Sequence, residues 1–162
     1  MFNVTLTPPT RRLPPEMNPG PLEDPEDYEY LVVYSCALLA KTDCKFHIGG
    51  FGSANWGFDV HYDASSFLEE LPRMLRSATL GEDFDVDLYS QGVERNLQFT
   101  FSGTVVDIYC ESRTNWVPEP PMESLNSDAV VSMLQNLATS FAASLKAVVP
   151  QVAMLPPFSD WA

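Results

Sequence analysis

Asp59, His61 and Asp63 stand at alternate positions in WGFDVHYD (56–63), the one run in which a histidine sits between two carboxylates at strand spacing. Side chains two apart on a strand share a face, so these three are the best-placed group in the chain for acid–base work or for holding a divalent ion. A wetted polar strand face is the plainer reading, and the balance favours it. Cys44 and His47, three apart in an extended segment, point to opposite faces and cannot chelate together. Tyr89-Ser90-Gln91-Gly92 lacks the GxSxG pattern of a nucleophile elbow, and two histidines give little support to a hydrolytic triad. The sequence is therefore read as that of a non-enzyme, with no catalytic residue, no cofactor and no metal.

The same region holds Gly49, Gly50, Gly52 and Gly57. A phosphate cradle needs a strand, a glycine loop and then a helix whose N-terminus meets the anion. Here the glycines fit neither GxGxxG nor GxxxxGKS, and an alternating stretch follows them. They are expected to shape a turn or bulge, with Phe51 and Trp56 on its edge as aromatic contacts.

The elements around these residues follow from periodicity. FNVTLT (2–7) reads as a short strand. Seven prolines between Pro8 and Pro25 exclude regular structure, so residues 8–27 read as an extended arm. YLVVYSCALLA (30–40) is rich in β-branched and aromatic residues and pairs naturally, across a turn at 41–43, with CKFHIGGFG. Residues 55–63, 83–89 and 96–112 alternate, the last as a hairpin about Ser102 and Gly103. A helix is expected over about 66–80, with Ser66 and Glu69 at capping-box spacing, Pro72 kinking it and Gly81 ending it. A second amphipathic helix runs over about 127–149, capped by Asn126 or Ser127 and stopped by Pro150, and the tail with Phe158 and Trp161 is apolar enough to dock. The expectation is one α+β domain over 1–162: a mainly antiparallel sheet of about five to seven strands with both helices on one face.

If so, the opposite face gathers carboxylates. Asp59, Asp63, Asp83, Asp85, Asp87, Asp107 and Glu111 all fall on the polar sides of their predicted strands, with His61 and Tyr109 among them. Like charges on neighbouring strands repel, so such a face is an accident of strand order or a patch that meets something basic. Glu94 and Arg95 read as a local ion pair. Nine Lys and Arg against 22 Asp and Glu give a formal charge of −13, which argues against nucleic acid or an anionic membrane as partner. The first residues lack the apolar run of a signal peptide, the longest apolar stretch spans ten residues, and three cysteines without CxxC spacing fit a reducing compartment. A cytoplasmic protein is expected.

The run GFGSANWGFDVHYD, then FLEELP, then DFDVDLYSQGVERNLQFTF, resembles small bacterial proteins encoded beside polymorphic or contact-dependent growth inhibition toxins and treated as their immunity proteins. The resemblance spans roughly residues 46–116 and leaves the proline arm outside. It lies in a Gly-Phe-Gly turn with Trp, a helix ending in Leu-Pro and a Gln-Gly-x-Glu-Arg turn, and no toxin-contact residue carries over by position. It implies a cytosolic, acidic protein that blocks a toxin domain by tight one-to-one binding. Many such toxins are basic nucleases, which agrees with the acidic face. The carboxylates would steer association, and Trp56, Tyr109 or Trp116 would anchor it. Two alternatives stand beside this: a small metal-assisted enzyme using Asp59, His61 and Asp63, and an acidic secretion chaperone or adaptor.

Overall fold

A computed structural model describes all 162 residues. Alternation in NVTLT gives β1 (Asn3–Thr7), which buries Val4 and Leu6 and pairs antiparallel with β2 (Lys45–Gly49), Val4 opposite Ile48. Between them runs the arm, extended but for one 3-10 turn at Pro15–Met17. It is tied to the body at its start, where the Asp43 carboxylate accepts from Thr10 N (2.9 Å) and Arg11 N (3.1 Å). These bonds, with one from the Thr10 hydroxyl as the strongest influence, hold the Asp43 carboxyl down to about 2.

The run expected to be a strand at 30–40 is instead α1 (Tyr28–Leu39). Asp27 caps it by accepting from Tyr30 N at 3.1 Å, and Leu31, Val32, Ser35, Cys36 and Leu39 are buried at helical spacing. Burial of that stripe overrides the β preference of Val32, Val33 and Tyr34, which is a weak local term.

The second correction is at 55–62, which forms no strand. Side chains there capture the backbone before a ladder can form. Asn55 Oδ1 accepts from Gly57 N at 2.8 Å, and Asp59 Oδ1 accepts from Tyr62 N at 2.7 Å. The predicted helix at 66–80 then appears as two, α2 (Asp63–Leu68) and α3 (Leu71–Leu80). Pro72 sits in the first turn of α3, where its missing N–H costs nothing, and Gly81 closes the helix with φ 68°. Ser66 lies inside α2 and donates to the Asp63 carbonyl, so it is no cap.

Four strands make the main sheet in the order β3-β4-β5-β6, all antiparallel: β3 (Phe84–Leu88), β4 (Arg95–Ser102), β5 (Val105–Ser112) and β6 (Met122–Asn126). α4 (Ser127–Val148) follows, capped by Asn126 Oδ1 accepting from Asp128 N, and a short α5 (Pro150–Ala153) turns the chain back. The tail docks, with Phe158 fully buried against Tyr28 and Phe141. The α+β class is as expected, but the strands divide into a pair and a sheet of four, and five α-helices replace two.

The ribbon of β1 and β2 packs with the helices on the inner face of the large sheet. Val86, Leu88, Leu97, Phe99, Val106, Ile108 and Cys110 are each no more than 1% exposed there, and Phe2 sets its ring edge-on to Phe99 at 5.8 Å. Phe51 and Gly52 form the centre of a tight turn with φ 55° and 85°, closed by Gly50 N to the Ser53 carbonyl at 2.8 Å. The glycines of this turn serve close approach: a Cβ on Gly50 would lie 2.7 Å from Phe2 Cα, and one on Gly52 2.1 Å from the Glu119 carbonyl oxygen. Gly57 shares a positive φ but has open space around it.

This contrast is testable by urea denaturation. Gly57→Ala is expected to cost about 1 kcal/mol, the strain of a left-handed residue. Gly52→Ala is expected to cost at least about 3 kcal/mol, because backbone must move as well. Equal losses would contradict the packing of the 51–53 turn under residue 119.

Candidate functional site: an open acidic sheet face

Alternation fixes which residues of β3 to β6 face away from the core, and pairing fixes their neighbours. One row across the sheet reads Asp85, Gln98, Tyr109, Met122, and another reads Asp87, Asn96, Glu111. A third reads Thr100, Asp107, Ser124, with Asp83 just before β3 at its end. Nothing covers this face, and a shallow depression of about 640 Å³ on it is lined by Asp83, Asp85, Gln98, Glu111 and Arg113 among others.

Five of the seven carboxylates expected here are therefore present: Asp83, Asp85, Asp87, Asp107 and Glu111. They belong to β3 and β5, and the neutral Asn96, Gln98 and Thr100 of β4 lie between. Two strand spacings separate the acidic columns by about 10 Å, near a Debye length at physiological salt, so their mutual repulsion is small. Arg113 pairs with Asp87, Asp107 accepts from the Ser124 hydroxyl, and Asp83 accepts from Phe101 N at 2.7 Å. Asp85 and Glu111 have no cation within ion-pair distance. Close by, Tyr109, Met122 and Val117 are 43%, 50% and 73% exposed. Tyr109, Trp116, Val117, Pro118 and Pro121 line an open groove of about 380 Å³ beside Glu111.

Asp59, His61 and Asp63 are not part of this face. Asp59 Oδ1 accepts from Tyr62 N and Asp63 N, while Asp63 Oδ2 accepts from Asp59 N at 2.9 Å, so the two carboxylates reciprocally close the turn that leads into α2. Burial raises the Asp63 pKa against the pull of its hydrogen bond to Asp59 N. His61 stacks on Tyr62 at 3.9 Å. No group of three His, Cys, Asp or Glu is placed to hold a metal ion. Phe51 and Trp56, expected as exposed anchors, are 1% and 9% exposed. They are core residues, and Trp56 Nε1 donates to the Gly50 carbonyl at 3.2 Å. Trp116 is half-buried at the edge of the groove.

The residue that sequence reasoning misplaced most is Arg95. It forms no pair with Glu94, whose carboxylate accepts from Gly92 N at 2.9 Å instead. Arg95 is 6% exposed, and its guanidinium lies 4.2 Å from the Trp56 ring and 4.0 Å from the Trp116 ring, with Phe58 at 5.3 Å. Its Nε and Nη1 have no hydrogen-bond partner. Desolvation lowers its pKa, opposed by the nearby Cys110 and Asp63. The signal was available: Arg95 is two residues before Leu97 and four before Phe99, so a strand begun one residue earlier turns it inward. This cation, over two indoles whose rings meet each other at 5.6 Å, holds the 113–121 loop against the 51–58 segment and so sets one wall of the groove.

No family model, curated protein or solved structure matches this chain.

Arg95 supplies a stability test. Arg95→Lys replaces a stacking plane with a compact, strongly hydrated ammonium and is expected to cost about 2 kcal/mol in urea denaturation. Arg95→Met keeps an apolar stem against both rings, has no charge to desolvate and is expected to cost less. The reverse order would mean that the charge itself is what the site retains.

Proposed function

We propose that this chain is a binding protein that neutralises a basic toxin domain, and that the outer face of β3 to β6 is where the toxin docks. The observation that carries this reading is the arrangement of that face: carboxylates on β5 flank the exposed Tyr109, those of β3 lie beyond it, and the exposed Met122 adjoins it at the edge, with one arginine among them. Apolar side chains to bury beside charges that steer is a usual make-up of a protein interface. The carboxylates raise the rate of encounter with a cationic partner, and burial of Tyr109 and Met122 slows its departure. The overall charge of −13 adds long-range attraction of the same sign. The resemblance over roughly residues 46–116 supplies the partner class, a toxin encoded beside the gene; many such toxins are basic nucleases.

The test is association with the polypeptide encoded beside the gene, followed as salt is raised. The rate of association should fall steeply with ionic strength. Asp85→Lys with Asp107→Lys should weaken binding at least about tenfold, whereas Glu16→Lys with Glu26→Lys, the same change in net charge on the arm, should do far less. Equal effects would mean that overall charge acts rather than this face. Absence of any binding at moderate salt would remove the proposal.

A further inference from the structure

The large sheet has two edges, and they are guarded unequally. Along β3, the outward Asp85 carbonyl accepts from Arg73, so a side-chain donor occupies an acceptor on that edge. The charges of Asp85 and Asp87 further discourage another strand from pairing there. The edge at β6 has neither device.

Two hydrogen bonds fix the phase of the β6 ladder. Cys110 N donates to the Pro121 carbonyl at 2.8 Å, and Ser127 N donates to the Thr104 carbonyl at 2.9 Å. In an antiparallel ladder, bonded and non-bonded pairs alternate. Glu123 and Leu125 therefore turn their backbone groups to β5, whereas Met122 and Ser124 turn theirs outward. Neither Met122 nor Ser124 has a backbone partner on that side, and both residues are exposed. Glu123 points inward and accepts from Phe51 N at 2.7 Å, which keeps β6 flat against the core. The open edge runs from Met122 to Asn126, the length of an ordinary strand.

We propose that β6 is the docking edge for an extended, cationic segment of the partner, which adds a fifth strand to the sheet. The proposal rests on the reading of the acidic face given above and names the mode by which the partner engages it. Charge selects the occupant. A second copy of this chain brings another −13, whereas a segment with Lys or Arg at alternate positions brings the opposite sign. The outward row of β6 itself is neutral (Met122, Ser124, Asn126), so nothing repels an incoming strand. On an added strand, alternate side chains stand over the outer face, about 5 Å from Met122 and Ser124 and about 10 Å from Tyr109 and Asp107. Extended Lys and Arg side chains cover that distance, with their stems over Met122 and Tyr109 and their charges at Asp107 and Glu111. Main-chain bonds then give affinity and the acidic rows give selectivity, as in strand addition generally.

The experiment uses the full chain, isotope-labelled, at physiological salt. Its probes are a capped peptide alternating Arg and Val and the same peptide N-methylated throughout, equal in charge but unable to pair. The expected result is binding of the first at least about tenfold tighter than the second, with exchange of the Met122 and Ser124 amides slowed by a similar factor. Equal binding of the two peptides would overturn the edge while leaving the acidic face as a docking surface. Binding of neither would overturn both. Met122 and Ser124 amides already protected in a dimer of the free protein would overturn the proposal in favour of a second copy.

Discussion

Register is the constraint on which the rest of this molecule depends. Phe84, Val86 and Leu88 on β3, Leu97 and Phe99 on β4, and Val106, Ile108 and Cys110 on β5 are all buried, most of them completely. A slip of one residue would drive Asp85, Asp87, Gln98 and Asp107 into that core and expose every apolar partner. Each of those apolar side chains is worth about 1.5–3 kcal/mol on burial, so the outer rows are fixed by the inner ones. The acidic face is thus the necessary reverse of a well-packed core, and its composition is what remains free to be used.

The irregular segments serve that sheet. The Phe51-Gly52 turn brings the Phe51 ring under Phe2 and lets the Phe51 carbonyl accept from Glu119 N at 2.9 Å. Glu123 takes the backbone N–H groups of Phe51 and Phe2 on the inner side of β6. Arg95 holds Trp116 against Trp56 from the inner side of β4. Together these contacts place Trp116, Val117 and Pro118 beside Tyr109. An aromatic and proline-rich wall results next to the carboxylates, built by residues that do not themselves reach the face.

Much of this was legible in the sequence where one physical signal dominated. Strict alternation gave β3, β4 and β5 and the outward position of their carboxylates; a long stripe at three- and four-residue spacing gave α4. The misreadings share a cause, which is competition between local signals. In 30–40, β-branched residues masked a helical stripe announced by Asp27. In 55–63, alternation of Trp56, Phe58, Val60 and Tyr62 was real, but Asn55 and Asp59 spend their side chains on the backbone and curl the chain into α2. Phe51 and Trp56 were expected on the surface because glycines flanked them, although the same glycines allow the close approach that buries both rings. Strand order was beyond reach because it depends on which inner faces match. The neutral β4 between two acidic strands, which makes the face affordable, could only be seen in three dimensions.

A partner docked on the outer face of β3 to β6 would shield the side chains there, and side-chain oxidation reports on that directly. Tyr109 and Met122 are exposed there, while Met17 on the arm and Met154 after α5 are exposed elsewhere and act as internal controls. Hydroxyl-radical labelling of the protein with and without the polypeptide encoded beside its gene would compare the four. Docking on this face protects Tyr109 and Met122 and leaves Met17 and Met154 unchanged. Protection of Met17 or Met154 while Tyr109 and Met122 stay reactive would place the partner elsewhere.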